Sequence, residues 1–178
     1  PISSVASVAS FFISRIDSAV EKRLDGASPS GGGVDPDGLR GQVAIANAKL
    51  TYRRYGQIYS GDRWNGLAKK GAKPQRLLWA STSTKSPDLS DVHYVDALIG
   101  PETVNTVPES TFDAARERAT VLRVLDRDVG EAEEVLSRLA KTGVSLDEVT
   151  SECLDQGVVL FEQAFDRLLG TIGEVRTD

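Results

Sequence analysis

Two stretches of this chain bring hydroxyls and a cation to the end of an apolar run. One is Leu77-Leu78-Trp79-Ala80-Ser81-Thr82-Ser83-Thr84-Lys85-Ser86-Pro87, and the other is Val5-Ala6-Ser7-Val8-Ala9-Ser10 running into Phe11-Phe12-Ile13-Ser14-Arg15. In each, residues suited to a buried strand give way to serine and then to a base. Two strands that both end this way suit an oxyanion, most often a phosphate, because hydroxyls and cations at strand ends supply charge-assisted hydrogen bonds to its oxygens. The same residue types also build ordinary strand-to-helix turns capped by serine. Residue types alone leave both readings open.

The elements that must carry these tips follow from periodicity. A buried strand is expected over Ile2–Ser10, and a helix over Phe11–Leu24 with Phe12, Ile16, Ala19, Val20 and Leu24 inward and Arg15, Asp17, Glu21, Lys22 and Arg23 on the rest. Gly and Pro crowd Asp25–Gly41, which reads as a flexible surface insertion without regular structure. Helices are expected over Gln42–Tyr59 and Asp62–Lys70, the second stopped by Gly71. A strand follows at Leu77–Ser81, a short helix at Ser90–Ile99 and a third strand at Thr103–Pro108. The rest is helical from Glu109, with stripes at Val129, Ala132, Leu136, Leu139 and at Val158, Phe161, Phe165, Leu168, Ile172. Ser145 and Glu148 form a capping-box pattern after Gly143. Alternating strands and helices argue for an α/β fold with a parallel sheet, closed as a barrel or open. No Gly-x-Gly-x-x-Gly follows a strand, so no dinucleotide site is signalled.

Composition narrows the function classes. The 178 residues suffice for one domain with a real core, 40% are hydrophobic and 26% charged, and the net charge is -5. Without a concentrated basic face, nucleic acid is not an expected partner. No apolar run approaches a bilayer span, so no membrane partner is expected. A single cysteine, Cys153, and the lack of an export leader fit a reducing, cytoplasmic setting. No His/Cys/Asp cluster has metal-ligand spacing, so neither a metal nor a cofactor is expected. His93, without a nearby base or nucleophile, reads as structural or exposed. The chain opens at Pro1, contains no methionine and starts at the edge of an expected strand. These features lead to the expectation that an N-terminal part is missing.

Three segments carry a family resemblance. Val5-Ala6-Ser7-Val8-Ala9-Ser10-Phe11-Phe12-Ile13-Ser14-Arg15-Ile16-Asp17 resembles the sixth-strand segment of transaldolases, in particular the elongated actinobacterial and cyanobacterial type. Trp79-Ala80-Ser81-Thr82-Ser83-Thr84-Lys85 resembles the seventh-strand segment. The run from Tyr94 through Gly100-Pro101-Glu102-Thr103-Val104-Asn105-Thr106-Val107-Pro108 resembles the approach to and passage through the eighth. Gly157, Val158, Phe161, Ala164, Phe165 and Asp166 look like the closing helix. The resemblance implies a (β/α)8 TIM barrel, with residues 1–178 as the C-terminal part of that single domain: the last three strands plus C-terminal helices.

It also implies a pentose-phosphate transferase that moves a dihydroxyacetone unit from sedoheptulose 7-phosphate to glyceraldehyde 3-phosphate, giving erythrose 4-phosphate and fructose 6-phosphate. A lysine Schiff base on an earlier strand serves as electron sink. No catalytic residue is then expected in this chain, which alone would be inactive. Its expected partners are sugar phosphates and the missing N-terminal segment. By resemblance Ser10, Arg15, Ser81 and Lys85 would hold substrate or its phosphate, and Phe12 would line the site. Lys85 is not the expected nucleophile, because a Schiff-base lysine must be partly desolvated and Lys85 lies beyond the apolar strand. For Arg15 the alternative is an ion pair with Asp17 or Glu21. Ser83 and Ser86 stand where the family usually has Gly and Asn, so Ser83 would be strained if the turn needs positive φ there. A sugar-phosphate-binding half-barrel without catalysis and a related fructose-6-phosphate aldolase are the alternatives.

Overall fold

The computed structural model describes residues 1–26 and 34–175, and the chain divides into two compact units, Pro1–Val144 and Ser145–Asp178. The first unit is built on a parallel sheet of three strands, β1 (Val8–Phe12), β2 (Arg76–Ala80) and β3 (Thr103–Asn105), hydrogen-bonded in that order. Helix α1 (Ser14–Gly26) follows β1; α2 (Val43–Ile58) and α3 (Asp62–Ala68) precede β2; α4 (His93–Ala97) lies between β2 and β3; α5 (Glu109–Arg118) and α6 (Val129–Lys141) follow. The barrel's layout of strands and outer helices is thus present in part.

Register explains which face is buried. Phe11 pairs with Trp79 and Trp79 with Asn105, while Ser10, Leu78 and Val104 share the alternate row. Leu77 and Trp79 are buried, and the Phe11 and Trp79 rings meet edge-on at 5.6 Å. Burying the Trp79 side chain contributes about 3 kcal/mol by area. Ile13, Ile16, Val20 and Leu24 pack beneath, with Val43, Ala44, Ala46 and Ala48 of α2. Along the opposite row Val8 and Ser10 are exposed and Phe12, Leu78, Ala80 and Val104 half-buried. A parallel sheet is normally covered on both faces. Here one face is.

The expected boundaries shift at the first strand. Ile2–Ser4 forms a 3-10 turn, and the strand runs over Val8–Phe12. Phe11 and Phe12 therefore belong to β1 and not to the helix, because aromatic residues suit a pleated surface and both find partners on β2. Of the segment 25–41, residues 27–33 lie outside the described residues. Within the remainder a 3-10 turn forms at Asp37–Leu39 and buries Leu39. Arg40 bonds both Asp25 and Asp37 across that segment. Gly71 stops α3 as expected, with φ +87° and the two reversed bonds Ala72 N–H to Leu67 and Gly71 N–H to Ala68.

The second unit is built on one helix, α7 (Leu146–Val175), which contains the residues of the expected closing helix. Ser145 Oγ accepts the Glu148 N–H at 3.3 Å, so the expected cap forms. Leu154, Val158, Phe161, Phe165, Leu168 and Ile172 repeat at four- and three-residue spacing along it, and all are exposed.

Candidate functional site at the carboxyl ends of the strands

The strand ends do gather four of the five expected residues. Ser10 and Phe12 lie two apart on the uncovered row of β1. The chain turns directly into α1, whose first turn holds Arg15. The Arg15 guanidinium carbon sits 4.4 Å from the Phe12 ring centroid. Stacked on the ring, the guanidinium gains a cation–π contact that holds it over the strand end. Of the two alternative partners for Arg15, Asp17 and Glu21, Asp17 spends its oxygens on Ala44 and Tyr94. Expected on the solvent side of α1, Asp17 is 2% exposed.

The tip of β2 is joined to that of β1 by main chain. Ile13 N–H donates to the Ala80 carbonyl and Ser14 N–H to the Ser81 carbonyl, each at 2.9 Å. Ser81, and not Ser83, takes the left-handed backbone, at φ +57°. The turn comes one residue past the strand, and it sends Thr82 inward. Thr82 is fully buried and its hydroxyl donates to Asn105 Oδ1 at 2.8 Å. Lys85 lies three residues further on, exposed, and makes no hydrogen bond or ion pair among the described residues.

A helix N-terminus usually offers free N–H groups to an anion. Here Ser14 N–H is taken by Ser81, and Ile16 and Asp17 N–H both reach back to the Ile13 carbonyl at 3.0 and 3.4 Å.

Behind the tips lies a network that local sequence reading missed. One Asp17 oxygen accepts the Ala44 N–H at 2.8 Å, at the start of α2; the other accepts the Tyr94 hydroxyl at 2.8 Å, in α4. The carboxylate thereby satisfies a helix-end donor. Burial pushes its pKa up to about 6; the bonds from Ala44 and Tyr94 oppose that rise, the Glu21 charge adds to it and His93 lowers it. Tyr94 is raised too, by burial first and then by the Asp17 charge. His93 Nε2 lies 2.8 Å from the Gly41 carbonyl, so the single histidine is structural, as expected. The sequence did carry a signal for Asp17. Read with Ile13, Ile16, Val20 and Leu24, it is an acid inside the apolar stripe.

Other features lie elsewhere. A cavity of about 460 Å³ opens at the amino-terminal ends of the strands, lined by Ser7, Val8, Lys73, Pro74, Arg76 and Glu102 among others, and it includes none of the five candidates. Cys153 is half-buried and forms no disulfide among the described residues. Among the described residues no group of three or more His, Cys, Asp or Glu is placed to hold a metal ion, and no helix is long and apolar enough to cross a membrane.

A family model described as Transaldolase/Fructose-6-phosphate aldolase matches residues 2–172. The chain is 47% identical over 174 residues to the transaldolase of Frankia alni, an alignment covering 97% of this chain and 46% of that one. It is 44% identical over 185 residues to transaldolase 2 of a Nostoc species, covering 98% and 48%. With the transaldolase of Saccharopolyspora erythraea it shares 43% over 171 residues, covering 96% and 45%. The chain spans about half the length of the curated relatives it matches.

Proposed function

The chain belongs to the transaldolase/fructose-6-phosphate aldolase family, and from that premise we propose that it forms the phosphate-holding side of a transaldolase barrel. In this reading the family's sugar phosphates are its ligands. Arg15 grips the phosphate with its guanidinium edge, with Phe12 as an apolar floor and Ser10 and Ser81 donating hydroxyl bonds. Lys85 adds a solvated positive charge from its loop. The observation that carries the reading is the Arg15–Phe12 stack at the carboxyl end of β1, the end where barrel enzymes bind substrate.

The chemistry itself belongs to polypeptide outside these residues. A lysine amine there attacks the ketose carbonyl of sedoheptulose 7-phosphate, and loss of water gives a Schiff base. Its protonated nitrogen takes up the electron pair as the C3–C4 bond breaks and erythrose 4-phosphate leaves. The enamine then adds to the aldehyde carbon of glyceraldehyde 3-phosphate, and hydrolysis releases fructose 6-phosphate and the free lysine. Holding the phosphate ends converts binding energy into alignment of the reacting carbons. The half-covered row of Val8, Phe12, Leu78 and Val104 is where the remaining barrel strands would pack. That segment is the chain's proposed partner, the activity is cytoplasmic, and this chain alone is inactive.

Borohydride trapping with fructose 6-phosphate, read by peptide mass spectrometry, tests the assignment. No adduct is expected on this chain. A reduced adduct at Lys85 would make that residue the nucleophile and overturn the proposal. The family description also includes an aldolase, which would use free dihydroxyacetone; supplying phosphorylated and unphosphorylated donors and acceptors to the chain joined to the complementary half of the Frankia relative separates the two.

A further inference from the structure

We propose that Asp17 is a positioning residue for the anion grip: by accepting from Ala44 N–H and the Tyr94 hydroxyl at once, it locks the Arg15-bearing turn of α1 to the helix that ends the Lys85 loop. The inference rests on the reading that Arg15 and Lys85 hold the sugar phosphate. Asp17 lies two residues beyond Arg15, on the buried side of the same turn. Its second oxygen reaches Tyr94, the second residue of α4, immediately after the exposed loop that carries Lys85.

That loop is fixed at both ends. At its start the Ser81 carbonyl accepts from Ser14, and Thr82 bonds Asn105. At its end His93 meets the Gly41 carbonyl, and Leu89 packs so closely on Gly41 that a Cβ there would come within 2.8 Å of Leu89 Cδ1. Gly41 leads into α2, whose Ala44 N–H is the other bond to Asp17. The carboxylate is therefore the one group in this cluster that touches the α2 and α4 ends of the clamp while sitting in the Arg15 turn. An aliphatic residue in this place on the stripe would pack α1 without desolvating a charge. What the carboxylate adds is direction: two donors from two helices converge on two oxygens, and the angle of α1 against the loop is set. The charged groups that face it are Glu21 from its own helix and His93 from α4.

The test is a titration of the 178-residue chain with inorganic phosphate, following the backbone amides of Arg15 and Lys85 by 1H–15N NMR. Tyr94→Phe removes one oxygen and keeps the ring, and should raise the half-saturating phosphate concentration about fivefold, the worth of one net hydrogen bond. Asp17→Ala should raise it further. Asp17→Asn should stay within about twofold of the parent, since its Oδ1 still accepts from Ala44 and its Nδ2 donates to Tyr94. A purely structural role would lower Tm in Tyr94→Phe and leave the half-saturation point where it was, and that result overturns the inference. The Tyr94→Phe comparison stands even where Asp17→Ala fails to fold. If the parent chain itself shows no phosphate-dependent shift at Arg15, the site reading falls and the positioning role with it. If the parent responds and Tyr94→Phe responds equally, the positioning role alone falls.

Discussion

Replacing Asp17 by asparagine should make the protein more stable at neutral pH, and the size of the gain should depend on pH. Burial pushes the Asp17 carboxyl up to about 6 in the fold, from an ordinary 3.8. Between those values the folded chain holds a proton that the unfolded chain has released. Stability therefore falls as pH rises through this window: the protonated form's advantage is complete below 3.8 and gone above 6. A shift of this size corresponds to about 3 kcal/mol for a group that is almost wholly buried. Asparagine imitates the protonated acid, keeps an acceptor for Ala44 N–H and never carries the charge. The difference in unfolding free energy, variant minus parent, should be near zero at pH 4 and rise to about 3 kcal/mol by pH 7.5. Urea denaturation of both chains at four pH values measures it, and subtraction removes every group that titrates alike in both. A difference that is flat with pH, or one that turns against asparagine as pH rises, would refute the reasoning.

Gly41→Ala should cost at least about 2 kcal/mol, since the position has φ +68° and the new methyl would strike Leu89; a lowered urea midpoint with unchanged slope checks it. Ser14→Ala should stabilise by about 1 kcal/mol, because the Ser14 hydroxyl is buried with no hydrogen-bond partner among the described residues, and thermal melts report it. Arg15→Gln should weaken fructose 6-phosphate binding about tenfold, whereas Lys85→Gln should cost threefold or less and lose its effect in high salt, as an exposed charge does; calorimetric titration at two ionic strengths separates them.

How much of this was legible beforehand depends on the reach of the deciding contact. Helix α2 and strand β2 were placed to within a residue or so because an apolar stripe with one period decides them locally. The start of the chain was misread because small residues such as Ala6, Ser7 and Ala9 carry little preference. What pulls Phe11 and Phe12 into β1 is pairing with Trp79 and Ala80, far along the sequence. Whether the turn needs positive φ at Ser83, where the family usually has glycine, was open from the sequence; the left-handed residue lies two positions earlier. It falls at Ser81 because the Ser14 bond and the inward turn of Thr82 to Asn105 both act one residue past the strand. At the start of α1 the Ser14 N–H is taken by the Ser81 carbonyl and those of Ile16 and Asp17 by the Ile13 carbonyl, bonds that only the folded tips bring about. Asp17 was visible as an acid in an apolar stripe, but its partners Ala44 and Tyr94 come from helices whose approach only the tertiary fold determines. Arg15 and Phe12 were found together because three residues bridge a strand end and a helical turn, a separation that local geometry alone fixes.

The clasp between the two tips has a consequence for how such a binding edge can change. Ile13 to Ala80 and Ser14 to Ser81 are joined by peptide groups only, so the spacing between the tips does not depend on which side chains they bear. Mutation can rewrite the hydroxyls and bases that project from them, and lineages or engineers can retune ligand preference there, while the scaffold underneath retains its dimensions.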